Sequence, residues 1–472
     1  PMSGRLRRRL TGALLFVAVI RGGVEGLETA RAASEAGQGV GNAPGVGGRR
    51  YDLSQCLQLA TRNYPKVRAA LARSKSRQAQ VDYARTAPYG QFRARAGLGL
   101  APAVHGTSVY SPSTDVAVSG NMGLGWEFGL DGVVPLWTFG KLEAAVDAAS
   151  AAADASGHEV EKERNDLRFE VRRAYYGVQL ARDSQKLVDE ATKRLDEYVA
   201  KMQRAVDTGD GDDVQLVKMQ MYRSDLDVKA SEAREQAASA RAALAFLVGA
   251  TGPFDIVDEP LQVLPHVVGP VSRYLSAARL NRPEVNMARA GVAARAAQVR
   301  LQRARYYPDV GLGLSAAWRR APAVDDATNP YSYDAGNYLR YSAGLVLEWK
   351  LDLLPKVAQL TQAQAELEEM RATEQYALGG VGLEVEQAWG EAIETARRLA
   401  ACNDSARYAR QWMVKIQQGI EVGLFEDSDM GEPAKEYAQR RFAEMKATFD
   451  HDVALARLAR ATGWEGLLGE RR

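Results

Sequence analysis

Histidine and cysteine are nearly missing from this chain, with four and two among 472 residues. His105, His158, His266 and His451 are scattered, and Cys56 and Cys402 form no pattern with the spacing of a metal site or a redox pair. The raw material for metal-assisted or nucleophilic chemistry is thin, and no pair of carboxylates recurs on neighbouring helix faces to serve as acid and base. No cofactor, metal or catalytic residue is expected. An excess of one charge is lacking too: 61 basic residues face 59 acidic ones, a formal net charge of +2. The first 32 residues hold six arginines and two glutamates, so the rest has 55 basic and 57 acidic residues, or −2. That composition is not one that binds nucleic acid. Beyond Ile20 no apolar run is long enough for a membrane helix.

What is present begins with RLRRRLTGALLFVAVI, residues 5–20. A basic segment leads into an apolar core from Leu10 to Ile20, too short to cross a bilayer and suited to a secretory signal. The small residues of TARAAS allow cleavage after Ala32, so 1–32 is expected to be a signal peptide and the Gly-rich 33–50 a flexible leader. LSQC (53–56) has neither a small residue before its cysteine nor a preceding apolar run, so it does not read as a lipidation site.

Self-similarity organises the remainder. KMQRAVDTGD from Lys201 matches KIQQGIEVGL from Lys415, and the same displacement of 214 residues maps Val171 to Val385, Gly209 to Gly423 and Gly249 to Gly463. RNYPKV (62–67) and LNRPEV (280–285) stand near the front of each copy, and GLGL follows at 97–100 and 311–314. The expected organisation is a first repeat over 51–249, a mid-rod connector over 250–270, a second repeat over 271–463 and a tail over 464–472.

Each copy carries an acidic corner. VDTGDGDDVQL (206–216) holds Asp207, Asp210, Asp212 and Asp213 and lacks any basic residue between Arg204 and Lys218. GIEVGLFEDSDMGEP (419–433) holds Glu421, Glu426, Asp427, Asp429 and Glu432. Taken locally, such a stretch is a solvated helix–turn–helix corner with capping carboxylates. A calcium loop fails, because no glutamate closes the twelve-residue pattern. Duplication puts both corners at the same end of the molecule.

Two period-two segments occupy each copy. In 91–100, Phe92, Ala94, Ala96, Leu98 and Leu100 alternate with polar residues and glycine. In 116–129, Val116, Val118, Met122, Leu124, Trp126 and Phe128 do the same. The second copy offers Val310, Leu312, Leu314, Ala316 and Trp318 within 309–319, then Leu339, Tyr341, Leu345, Leu347 and Trp349 within 338–349. These lengths suit tilted strands that cross a bilayer, with Trp126, Phe128, Trp318 and Trp349 facing lipid. Trp126 and Trp349 are expected near the end of the strands closest to the helices.

Helical rhythm runs over 52–86 and about 272–306. Exceptionally long helices are expected over about 142–206 and 356–420, the first about 97 Å long, the second weakened around Gly379, Gly380 and Gly382. Shorter helices follow each corner, over roughly 214–248 and 433–462, so that two short helices stacked end to end match one long one. On that rod Cys402 lies about 27 Å from the second corner and Cys56 about 53 Å from it, so the cysteines are expected to remain unpaired.

With the duplicated half, NYP and NRP, the passages ARTAPYGQF and ARYYPDVGL, PLWTFGK (135–141) and VGLFEDSD, the chain resembles the outer membrane efflux protein family typified by TolC, over about 50–465. The resemblance implies a mainly α fold with a transmembrane β-barrel contribution. Three chains would build a 12-stranded barrel continued by a periplasmic α-helical barrel. It implies no enzyme but an outer membrane channel, an exit duct for an inner-membrane pump and a periplasmic adaptor protein. Asp429 and Glu432 match entrance positions of the family, and Asp213 falls in a passage like its tip motif. Asp207, Asp210, Asp212, Glu421, Glu426 and Asp427 would lie at the periphery, with Gly209, Gly423, Leu424 and Phe425 at the adaptor contact. Phe425 stands where a positive side chain is often found.

Physics supports association independently, since four strands cannot close a barrel and open edges cannot stay in hydrocarbon. The alternative is a periplasmic coiled-coil scaffold or adaptor-like protein without a membrane barrel, which would be soluble without detergent.

Overall fold

The structure, a computed structural model, describes residues 50–105, 117–209, 211–250, 252–326, 334 and 336–468. The expected signal peptide, nearly all of the leader, Asp210, Val116 and the last four residues lie outside the described residues. Among the described residues, 51–249 and 256–468 make one compact unit, and 50, 250 and 252–255 belong to another. The sheet and the eight α-helices described next belong to the former.

The first copy contains α1 (Leu53–Asn63), α2 (Pro65–Thr86), β1 (Gln91–His105), β2 (Ala117–Trp137), α3 (Lys141–Asp207) and α4 (Asp213–Val248). The second contains α5 (Val271–Asn281), α6 (Pro283–Ala304), β3 (Asp309–Arg320), β4 (Tyr338–Glu348), α7 (Leu353–Glu421) and α8 (Gly431–Thr462). The rhythm over 52–86 and 272–306 is not one helix but two in each copy. Pro65 and Pro283 occupy first helical positions, and a proline drives the preceding residue out of the α region. Tyr64 and Arg282 are accordingly extended, with ψ of 124° and 120°. α1 starts on a capping box, in which the Asp52 carboxylate accepts from Gln55 N (2.7 Å) and the Gln55 side chain accepts from Asp52 N (3.3 Å).

The long helices span 67 and 69 residues, about 100 Å each. The expected weakening at Gly379, Gly380 and Gly382 does not occur. Each glycine costs only about 1 kcal/mol relative to alanine, too little to break a helix packed along α6 and α8. Strand ends also differ from expectation: β1 continues five residues past 100, and β2 eight residues past 129, because the alternation persists through Leu130, Gly132 and Val134.

The four strands form one antiparallel sheet in the order β1–β2–β3–β4, leaving β1 and β4 as edges among the described residues. α3 packs on α2 and α6 and on α4 and α8, while α7 packs on α6 and α8. The shorter helices of each copy abut. Gly249 (φ +72°) ends α4, where Asn63 Nδ2 donates to Val248 O (3.3 Å) and the Tyr64 and Phe246 rings meet edge to face. Gly463 (φ +66°) ends α8 so close to α5 that a Cβ there would lie 2.8 Å from Asn281 O. Only glycine takes that conformation freely, and only glycine fits.

Around this second joint the core is densest, with nearly every residue from His451 to Thr462 buried. Arg282 donates to Glu284, Glu384 and Arg460 O, and Arg460 pairs with Glu384 and Asp166. The connector is pinned by its backbone: Leu261 N donates to Asp183 (2.9 Å), Leu264 N to Asp452 (3.0 Å), and Gly269 O accepts from Trp389 Nε1 (2.9 Å). Asp452 is fully buried with its Oδ2 unpartnered, and burial pushes its carboxyl up to about 7. Both cysteines are free; Cys56 is buried, and desolvation, then the nearby Asp52 carboxylate, pushes its thiol up to about 12.

Candidate functional site

Two regions hold the residues singled out from the sequence: the corners that end α3 and α7, and the sheet. At the first corner α3 ends on Gly209 (φ +85°), whose N–H donates to Val206 O (3.0 Å). Gly211 turns back so tightly that a Cβ would lie 2.4 Å from Val206 N. The Asp212 carboxylate then caps α4, accepting from Val214 N (2.8 Å) and Gln215 N (3.4 Å). Asp207 accepts from Gln203, and Asp213, in the first turn of α4, is exposed.

At the second corner α7 ends in a Schellman motif. Leu424 N donates to Gly419 O (2.8 Å) and Gly423 N to Ile420 O (3.1 Å), with Gly423 at φ +76°. Phe425 folds back over the last turn, where a Cβ on Gly419 would fall 2.2 Å from its ring. Asp429 Oδ2 accepts from Glu426 N (3.0 Å), so this carboxylate also ties a turn. Glu421 and Glu432 are exposed, and the Asp427 side chain lies outside the described residues.

The corners meet through Met219, fully buried in α4, whose methyl would touch a Cβ on Gly431 at the start of α8. One turn further, the ammonium groups of Lys218 and Lys435 both lie near the ring of Tyr222, 5.9 and 5.3 Å from its centre. The sequence reading missed this triad. Its signal was available, since each lysine is the first basic residue after its acidic corner. Val214, Val422 and Leu424 are 70–77% exposed, a small apolar cap on the acidic tips.

The sheet has two unlike faces. Leu98 pairs with Trp126, Phe128 with Trp318, Leu314 with Ala343, and Leu312 with Leu345, giving one continuous apolar face. The opposite face carries an Arg95–Asp131 ion pair, Glu127 across from Arg319, a Ser315–Ser342 hydrogen bond (2.8 Å) and many glycines.

Trp126, Phe128 and Trp318 cluster where β3 and β4 end away from the helices, at the middle of the longer β1 and β2, the Phe128 and Trp318 rings stacked at 5.7 Å. Trp126 is therefore not beside the helices as expected. It stands eleven residues before Trp137, because β2 outlasts its expected length. The near end holds Trp137, Phe139 and Tyr307 in ring contact, and Trp349, whose Nε1 donates to Tyr306 O (3.0 Å). Eight residues of β3 separate the two aromatic rows, about 27 Å along a strand or roughly 21 Å when tilted, close to the ~25 Å apolar band of a membrane barrel. No described helix is long and apolar enough to cross a membrane.

The model of the family described as outer membrane efflux protein matches residues 56–250 and 274–464. Protein CyaE of Bordetella pertussis is 27% identical over 369 residues, 76% of this chain and 72% of that protein. The cobalt-zinc-cadmium resistance protein CzcC of Cupriavidus metallidurans is 27% identical over 184 residues, 39% of this chain and 44% of its own length. Among solved structures, the open state of the Neisseria gonorrhoeae MtrE outer membrane channel superposes with a TM-score of 0.71 at 18% identity, covering 87% of this chain and 88% of that one.

Proposed function

The chain belongs to the outer membrane efflux protein family, and from that premise we propose that three copies form a single duct with an acid-lined entrance. The family places it in the outer membrane with a long periplasmic extension. The observation that carries association is the open sheet, and the number three comes from the family: the apolar face is continuous, yet apart from a bridge at Val104, β1 and β4 are unpaired edges among the described residues. Unpaired N–H and C=O groups cost several kcal/mol each in hydrocarbon, so the β4 edge of one copy must meet the β1 edge of the next. Three copies supply twelve strands, with the glycine-rich polar face lining the bore and Trp126, Phe128, Trp318 and Trp349 facing lipid.

The helices carry the bore to the acidic corners. Nine carboxylates per copy stand there, counting Asp210 and Asp427 from the sequence alone. Asp429 and Glu432 form the narrowest rings, with Asp213 behind them and the others peripheral. Rings of carboxylates draw cations in and hinder anions, and their mutual repulsion favours an opening entrance. The exposed Leu424 and its neighbours, with Gly209 and Gly423 shaping the tips, meet a periplasmic adaptor, while Phe425 contributes by holding the α7 terminus. Transport is driven by an inner-membrane pump; of the cargo classes such ducts carry, drugs, metal ions and proteins, metal ions are favoured by the likeness to a cobalt-zinc-cadmium resistance protein.

Single-channel recording tests the entrance. Asp429→Asn with Glu432→Gln keeps an acceptor for Glu426 N, so the turn survives. Cation preference and multivalent-cation block should fall at 0.1 M salt and change much less at 1 M, where the screening length shrinks from about 10 Å to about 3 Å. Asp82→Asn, on α2, is the control. Unchanged selectivity and block at low salt would reduce the acidic corners to solvated caps. A detergent-solubilised particle with the mass of one chain would sink the trimer.

A further inference from the structure

The near end of the sheet carries features that a lipid-facing belt alone does not require. Phe139 is the one described non-glycine residue with positive φ, at +51°. A phenylalanine there costs about 1–2 kcal/mol of backbone strain, and glycine would avoid it. What the strain secures is the ring, stacked on Tyr307 at 5.2 Å and edge-on to Trp137 at 6.1 Å, with all three 41–63% exposed. Lys141 fixes the same turn by donating to Tyr307 O (2.9 Å) and Asp309 (2.8 Å).

Directly on the helix side of this cluster stand three exposed arginines. Arg303 lies one turn before Tyr307, Arg305 follows the last residue of α6, and Arg85, the counterpart of Arg305 in the first copy, lies in the last turn of α2. None has an acidic partner among the described residues; Arg305 donates only to Gln302. Of the acids at this level, Asp309 is matched to Lys141, Asp147 to Arg300, Glu348 to Lys350 and Asp352 to Lys356, which leaves the exposed Asp82 and Glu143 against the three arginines. The arginines therefore outnumber the remaining acids, with Arg303 and Arg305 giving a positive excess on the periplasmic side of an aromatic row. Helix C-termini favour basic residues by themselves, but that preference explains neither the strained ring nor its continuity with the apolar face.

We propose that this rim binds the headgroups of anionic phospholipids, with Arg303 and Arg305 on the phosphate, Arg85 serving the neighbouring edge, and Trp137, Phe139 and Tyr307 at glycerol level. The proposal rests on the reading that the apolar sheet face lies in the bilayer. Guanidinium groups match phosphate oxygens in pairs, and the aromatic rings sit where bilayer and water meet. Such a collar would set the height of the duct in the membrane and favour anionic lipid around it.

The test is lipid retention by the purified full-length assembly, read by native mass spectrometry after titration with phosphatidylglycerol or phosphatidylcholine of equal chain length. The wild type should retain phosphatidylglycerol preferentially, and Arg303→Gln with Arg305→Gln should lower that preference by about fivefold per arginine. Tyr307→Ala should weaken retention of both lipids, and free glycerol phosphate should not compete. Equal retention of the two lipids by the wild type, or an unchanged preference in the double variant, overturns the proposal while leaving a conducting trimer intact. A wild-type chain that stays monomeric and soluble without detergent overturns the proposed function and this collar together.

Discussion

Replacing Asp452 by asparagine should change how stability depends on pH. The carboxyl is fully buried on α8, its Oδ1 accepts from Leu264 N at 3.0 Å, and its Oδ2 has no partner. Burial raises its pKa to about 7, against about 3.9 for an unfolded aspartate. Between about pH 4 and pH 7 the folded chain holds a proton that the unfolded chain has released, so stability falls as pH rises through that window and is level above it. Three pKa units at 1.36 kcal/mol each make a loss of about 4 kcal/mol per chain, as an order of magnitude. The Asp452→Asn variant keeps an acceptor for Leu264 N and has no such loss. His266 and His451, lowered by burial and then by the positive charge of Arg273 and of His266 respectively, lose stability in the opposite direction, as pH falls. They are common to both proteins and cancel in the difference. Thermal unfolding of the detergent-solubilised assembly should therefore give a variant-minus-wild-type difference that grows from pH 4.5 to pH 7.5 and then stays constant. Parallel profiles would refute the claim that Asp452 keeps its proton in the folded state.

Arg282→Ala removes three donated hydrogen bonds from a side chain 7% exposed and should cost about 3 kcal/mol, the low end for a broken buried pair because Arg460 remains on Glu384; chemical denaturation measures it. Gly463→Ala should destabilise by about 1–3 kcal/mol, since it meets Asn281 O at positive φ, whereas Gly379→Ala, in open space on a helix, should stabilise by up to about 1 kcal/mol. A reversal of that order would mean that the joint of α8 and α5 is looser than described. Leu314→Lys, midway between the aromatic rows on the apolar face, should cost about 2–4 kcal/mol in a bilayer, while Ser315→Lys on the other face should be tolerated. Equal effects in folding into lipid vesicles would contradict the assignment of the faces.

Periodicity made much of the architecture legible. The 214-residue repeat, the two long helices and the alternation of apolar residues are local patterns, and a pattern of period 2 or 3.6 specifies strand or helix wherever one face is buried. The prolines at 65 and 283 were equally visible, yet their rhythm-matched flanks read as single helices, because periodicity does not register the loss of one helical residue before proline. Tertiary structure decided what pairs with what. Strand register put Trp126 in the middle of β2, level with the far end of β3, since position along a strand depends on where the strand stops, and β2 continues to Trp137. Contacts between residues hundreds apart could not be read from spacing: Met219 against Gly431, Lys218 and Lys435 about Tyr222, Asp452 beneath Leu264. The acidic corners were conspicuous as composition, but which carboxylates hold backbone amides, Asp212 and Asp429, and which stand free, Asp213 and Glu432, depended on turn geometry. A sequence records charge and apolar order along one dimension; capping, register and burial are properties of three-dimensional neighbours and arise only when the two copies pack.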